Sequence, residues 1–219
     1  MNGEGQGPEA AFGDPAFKAA LRALFEWRRD VRSFRRDPLP QALLDELLQV
    51  AALAPSVGLS QPWRFVRVRN DGTRAAVRAS FGQANAQALA GYDGDAAALY
   101  ARLKLAGLDD APEQYAVFCD HGVSAGRGLG RRTMPQALEY SVVAAVHTLW
   151  LAARAHGVGL GWVSILDPDA VTSALDVPAS WRLVAYLCLG WPQADSLEPE
   201  LQRLGWEQRS ALKLSILER

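Results

Sequence analysis

Apolar residues recur at helical spacing from the first ordered stretch onward. Phe17, Leu21, Leu24 and Phe25 share one face. Asp14-Pro15 opens that helix, with Asp as N-cap and Pro in the first turn, where its missing N–H costs nothing. A second stripe, Leu43, Leu44, Leu47, Leu48 and Ala51, follows Pro38 and Pro40. It must stop near Ala54, because Pro55 disfavours helical geometry in the residue before it. Burying such a stripe is worth about 1.5–3 kcal/mol per large side chain, before the entropy of ordering is subtracted. After a loop from Ser56 to Pro62, residues 64–69 alternate as a strand and end at Asn70-Asp71-Gly72. Residues 73–110 are expected to be mostly helical, interrupted at Gly91, Gly94 and Gly107.

Tyr115 to Asp120 is the second expected strand, and Gly122 to Arg132 a glycine-rich loop. Gln136 to His156 is a long helix, apolar nearly all round, which needs contacts on several sides: it is central to the domain or part of a subunit interface. Gly157 terminates it. Gly159 to Leu166 is a third strand, Asp167-Pro168 opens another short helix, and Arg182 to Leu189 is an unbroken apolar run suited to a strand covered on both faces. Together these elements predict one domain, a sheet of four or five strands flanked by helices. Residues 1–13 are expected to be disordered, and the polar tail from about Trp191 to lie over another surface.

Bulk properties narrow the classes. The 219 residues suffice for one large domain. Net charge is −1, from 23 basic and 24 acidic residues, without the basic excess of a nucleic-acid binder. Cys119 and Cys188 sit in apolar runs and are expected to be core thiols in a reducing compartment. No Cys/His spacing resembles a metal site. The first 14 residues resemble neither a signal nor a transit peptide. The apolar stretch 137–166 is broken by Glu139, His147, Arg154 and His156, against a membrane span. A cytoplasmic enzyme is the expectation.

Three constellations could carry chemistry. Arg28-Arg29-Asp30-Val31-Arg32 at a helix end is either a solvated basic turn or an anion site, where guanidinium forks grip phosphate and Asp30 serves as acceptor or base. Ser56 to Pro62 supplies hydroxyl and amide groups around Gly58. Gly157-Val158-Gly159-Leu160-Gly161-Trp162-Val163-Ser164 carries small residues that either let a flat ligand lie against the backbone or serve tight helix–strand packing. Gly126-Arg127-Gly128-Leu129-Gly130 lacks the dinucleotide spacing.

The order of these motifs resembles the flavin-dependent nitroreductase superfamily over about residues 15–210: R-R-D-V-R-S-F, then A-P-S-V-G-L-S-Q-P-W-R-F, then the run from Met134 to Leu166. Arg29-Asp30-Val31-Arg32, 103–108, 116–120 and Gly161-Trp162-Val163-Ser164-Ile165-Leu166-Asp167-Pro168 resemble its 5,6-dimethylbenzimidazole synthase branch. The resemblance implies an α+β nitroreductase-like fold with a mostly antiparallel sheet, and an intertwined homodimer with flavin mononucleotide (FMN) at the interface and the tail on the partner subunit. Arg28, Arg29 and Arg32, with Val31 among them, would hold the phosphate and ribityl chain. Ser56 and Gln61 would add contacts, Leu105 would come from a lid, Trp162, Val163 and Ser164 would lie along the ring edge, and Arg209 would reach the phosphate. Position 59 is Leu where generic members often carry Asn.

The family reaction so implied consumes reduced FMN and oxygen. Oxygen adds at ring carbon C4a, ribityl C1′ becomes C2 of dimethylbenzimidazole, the lower ligand of cobalamin (vitamin B12), and erythrose 4-phosphate is released. Asp30 is the candidate acid/base and Ser164 the candidate hydroxyl at the ring. Residues 92–110 would close over the ring and block a nicotinamide, so a separate flavin reductase would supply FMNH2. The alternatives are an NAD(P)H-dependent nitro- or enone-reductase and a non-catalytic flavin-binding protein. The fold also admits deiodinase-like activity, which no residue here calls for.

Overall fold

A computed structural model describes residues 12–210 and 216–219, so most of the N-terminal stretch expected to be disordered, residues 1–11, lies outside the described residues. Helix α1 (Pro15–Trp27) begins where the pattern places it, with the Asp14 carboxylate accepting from the Ala16 N–H at 2.9 Å. Helix α2 (Gln41–Ala51) buries Leu44, Leu47 and Ala51. Strand β1 (Trp63–Arg67) follows, then α3 (Asp71–Leu89), capped by the Asn70 side chain, and the short α4 (Gly94–Tyr100). The expected helicity does not continue to 110. Instead, the chain after Ala101 packs irregularly, with Gly107 pressed so closely on the Phe34 ring that no side chain fits between them.

Strand β2 (Glu113–Asp120), α5 (Ala137–Ala155), β3 (Gly159–Val163), α6 (Pro168–Leu175), β4 (Trp181–Gly190) and the single turn α7 (Glu200–Arg203) complete the order. Strand β3 stops three residues short of the expected Leu166, which frees Ser164 from the ladder.

The four strands pair antiparallel in the order β1-β2-β4-β3, so β2 and β4 are central. Their side chains alternate between two cores. Tyr115, Val117, Cys119, Leu187 and Leu189 face α2 and α5, while Ala116, Phe118, Tyr186 and Cys188 join Val77 of α3 and Val171 of α6 on the other face. Both thiols are free and buried, as the apolar runs around them imply.

One polar chain crosses the second core. The Tyr186 hydroxyl donates to Gln114 Oε1 at 2.8 Å, and Gln114 Nε2 donates to the Leu108 carbonyl at 2.8 Å. Tyr186→Phe strands the Gln114 oxygen in an apolar interior. It is expected to cost about 1–3 kcal/mol of unfolding free energy, measured by urea denaturation.

Two features bear on function. Helix α1 has no buried residue, and its apolar face stays open, with Phe17, Leu21 and Phe25 at 39%, 40% and 47% exposure. The chain after α1 then runs along the free edge of β3, bridging Asp30 to Leu160 and Phe34 to Pro192. There the start of the tail is tied to its own chain, by Arg35 N–H to the Trp191 carbonyl at 2.8 Å and Gln193 N–H to that of Ser33 at 3.1 Å. Trp206 lies edge-on against Tyr92 and Tyr100, the aromatic pair flanking α4.

Candidate functional site

The segment Arg28–Ser33 leaves α1 and docks on β3 because β3 has no side chains in its way. The Val31 N–H donates to the Leu160 carbonyl at 3.0 Å. A Cβ on Gly161 would overlap the Val31 carbonyl, and one on Gly159 would meet the Val31 methyls at 3.0 Å. The glycine-rich strand thus accommodates a second backbone strip, a use that neither the flat-ligand nor the helix-packing reading of its composition named.

That docking fixes Asp30. Its Oδ1 accepts from the Trp162 N–H at 2.9 Å, and its Oδ2 accepts from Arg32 Nε at 2.9 Å. Both carboxylate oxygens are therefore held while the group still borders open space. Asp30, Arg32, Trp150, Trp162, Ser164 and Val184 line a cleft of about 500 Å³. Ser164, exposed just past the end of β3, stands in the same cleft as Asp30. Val163 points the other way, into the core, so only its backbone can face a ligand.

Beside the cleft is a cluster of cations. The Arg28 guanidinium stacks on the Trp150 ring, 4.8 Å from its centroid, and the Trp150 indole N–H donates to the Arg29 carbonyl at 3.0 Å. Burial lowers the pKa of Arg28; Asp30 opposes that shift and Arg209 adds to it. Burial also lowers that of Arg29, with further lowering from Arg209, Arg28 and Arg154. Buried guanidinium groups that also repel one another would be stabilised by an anion among them. Arg29 donates to the Arg28 and Leu197 carbonyls, yet its Nε is buried with no partner among the described residues. A phosphate fits these donors. Arg209 is itself exposed, its backbone N–H resting on the Gln202 side chain at 3.3 Å.

The lid position is also close. Arg32 donates to the Lys104 carbonyl at 3.3 Å, which brings the half-buried Leu105 beside the Asp30–Arg32 pair. Lys104 and Arg36 both clasp Asp110, at 2.7 and 3.3 Å, holding that segment down.

Ser56 and Gln61 are not brought to this cleft. Their loop enters β1, at the opposite edge of the sheet from β3. Three strand spacings, about 14 Å, separate the two edges. The loop is well formed where it is: Ser56 Oγ accepts from the Gln61 N–H at 3.1 Å, and Ser141 Oγ from that of Val57 at 3.0 Å. The glycine-rich loop packs against it, with Gly58 under the carbonyls of Gly126 and Leu129.

Residues 25–191 match the model of the nitroreductase family. The chain belongs to that family. It is 57% identical over 196 residues to a Rhodospirillum rubrum protein named 5,6-dimethylbenzimidazole synthase, covering 90% of this chain and 93% of the relative. A Rhodobacter capsulatus protein of the same name is 50% identical over 86% of this chain and 91% of its own length. Among solved structures, iodotyrosine deiodinase bound to FMN and 3-iodo-L-tyrosine superposes with a TM-score of 0.72 at 23% identity, covering 91% of this chain and all of that one. The nitroreductase-like α+β architecture expected from the motifs is therefore the fold of this chain.

Sequence reasoning missed Trp150 and Arg154 as site residues, assigning both to a packing helix. Their spacing was the available signal: four residues apart they share a face, and a tryptophan there presents both a ring for a cation and a polar N–H. Arg154 braces the cluster, pairing with Asp195 at 2.6 Å and covering Trp27.

Proposed function

We propose that this chain is a 5,6-dimethylbenzimidazole synthase, converting reduced FMN and oxygen to dimethylbenzimidazole and erythrose 4-phosphate for the lower ligand of cobalamin. The observation that carries this is one cleft in which the fixed Asp30 carboxylate and the free Ser164 hydroxyl stand next to a cluster of guanidinium groups. The high identity to synthases over nearly the full chain supports the same reading.

FMN is here both ligand and substrate. Arg28, Arg29 and Arg209 take its phosphate, and Arg32 with Val31 the ribityl arm. The backbone of Trp162 and Val163 borders the ring, with Ser164 offering a hydroxyl at its edge. Asp30 takes up the proton that must leave ribityl C1′. Leu105 and its neighbours close over the ring and exclude water, which also denies a nicotinamide its stacking surface. A separate flavin reductase then supplies FMNH2. The two free thiols and a reduced substrate fit a cytoplasmic setting, and no described helix is long and apolar enough to cross a membrane.

Two copies complete the site in this reading. The open apolar face of α1 and the separation of Ser56 and Gln61 from the cleft both favour a homodimer, in which the loop of one subunit meets the flavin of the other. Beyond Gln193 the tail also rests on its own chain, through Asp195 on Arg154 and Trp206 on Tyr92 and Tyr100, so a partner would meet its outer face.

The deciding experiment is aerobic incubation with reduced FMN, followed by chromatography. Dimethylbenzimidazole in the product supports the proposal. Recovery of intact oxidised FMN, or rapid bleaching of bound flavin by NADPH in stopped flow, overturns it in favour of a reductase. Arg29→Ala removes charge-assisted hydrogen bonds to the phosphate and is expected to weaken FMN binding by about 10–100-fold, read by fluorescence quenching.

A further inference from the structure

At the C-terminal end of β2, on residues that do not line the cleft, three metal-ligating side chains converge. Cys119 and His121 are two residues apart, so an extended chain sends both to the same side. That side faces α5, whose first turn carries Glu139. The Cys119 thiol, one His121 ring nitrogen and a Glu139 carboxylate oxygen all lie within 4.8 Å of one another.

The hydrogen bonding among them is incomplete. His121 Nε2 is 2.9 Å from Glu139 Oε1, yet its N–H direction is not aligned on that oxygen. His121 Nε2 and Glu139 Oε2 are both out of reach of water, and neither has a hydrogen-bond partner among the described residues. Nearby Asp120 does not supply one. Its oxygens are taken by Arg64 at 2.8 Å, the Gly122 N–H at 2.9 Å and the Ser180 hydroxyl at 3.1 Å. Buried polar atoms are nearly always satisfied, so these two unsatisfied atoms beside a thiol call for a partner that serves all three side chains.

We propose that Cys119, His121 and Glu139 bind a zinc ion. Thiolate, imidazole and carboxylate are its usual donors, at about 2.0–2.3 Å in a tetrahedron. Such bonds place ligand atoms about 3.3–3.8 Å apart, so the present cluster has to contract by roughly 1 Å at its widest. Three protein ligands leave the fourth position to water. Burial, followed by the charges of Glu139 and Asp120, pushes the Cys119 thiol up to about 12. A dication in the cluster reverses that preference, so binding releases a proton. The ion clips the end of β2 to the start of α5. Cys119 pairs with Trp63, the first residue of β1, so the clip also anchors the loop that enters β1.

The site is testable without flavin. The full chain, stripped with chelator, is titrated with zinc by calorimetry and with cobalt(II) by absorption spectroscopy. The expected result is one metal per chain, with a thiolate-to-cobalt charge-transfer band and the visible bands of a tetrahedral ion. Cys119→Ser removes the charge-transfer band. His121→Ala and Glu139→Gln each weaken zinc binding by more than about tenfold, since even outer-shell partners of a metal are worth that much. Should the fully buried Cys119 not tolerate replacement, the half-exposed His121→Ala carries the test alone. Sub-stoichiometric binding, cobalt bound without the thiolate band, or unchanged zinc affinity in His121→Ala overturns the site.

Discussion

Asp30→Asn is expected to keep FMN bound while lowering dimethylbenzimidazole formation by about 10²–10⁴-fold, the usual range for loss of a positioned acid/base. The substitution is nearly isosteric. An amide oxygen at Oδ1 still accepts from the Trp162 N–H, so the segment stays docked on β3. At Oδ2 the amide nitrogen instead faces Arg32 Nε, donor against donor, and the ion pair at 2.9 Å is lost. The guanidiniums Arg28 and Arg29, proposed to take the phosphate, belong to other contacts and remain. Binding and chemistry should therefore separate, with flavin affinity falling far less than product yield. Both are read on the same protein, by fluorescence titration and by chromatography. An unchanged product yield would remove Asp30 from the reaction, whatever the fate of flavin binding.

Gly161→Ala is expected to be the most damaging single methyl in the chain. Its Cβ would occupy the space of the Val31 carbonyl oxygen, a backbone atom that cannot rotate aside. The segment Asp30–Val31 must lift off β3, and two hydrogen bonds go with it: Val31 to Leu160, and Trp162 to the Asp30 carboxylate. Overpacking alone costs about 1–3 kcal/mol. A loss of roughly 3 kcal/mol lowers Tm by about 6–12 °C in a chain of this size. Since Arg28, Arg29 and Arg32 ride on the displaced strip, FMN affinity should fall together with Tm. Gly159→Ala is the internal control. Its Cβ meets side-chain carbons of Val31 at 3.0–3.1 Å rather than a backbone oxygen, a milder overlap, so a smaller change in both quantities is expected. Equal effects from the two substitutions would mean that backbone docking at Gly161 is not what holds the site together.

The proposed zinc cluster and the proposed flavin cleft share no residue, and their tests do not depend on each other. Both exist for the same structural reason. A short polar motif at the end of a strand or helix is brought beside a distant element: Trp162 for Asp30, Glu139 for His121.

Local rules made much of this legible in advance. Asp14 and Asp167 announced two helix starts, and their carboxylates do cap them. Pro55 announced the end of α2. The apolar run of β4 announced a strand covered on both faces, and it is central. Capping, proline geometry and hydrophobic period act within a few residues, so the residues alone suffice to read them. The expectation that Asp30 and Ser164 share a site came from the resemblance in motif order, and both do line one cleft.

Only the tertiary structure decided the rest. By sequence, the glycines of β3 could equally have served a flat ligand or tight helix packing. Docking of Val31 made them a seat for the Asp30 strip, because strand pairing is settled between segments some 130 residues apart rather than within either one. It also turned Trp150 and Arg154 from packing residues into the wall of an arginine cluster. It joined Cys119, His121 and Glu139, whose spacing in the chain matches no metal motif. And it left the Ser56–Gln61 loop at the opposite sheet edge from the cleft. The edge a strand occupies depends on which surfaces bury the most apolar area across the whole domain, a global balance to which no short stretch of sequence has access.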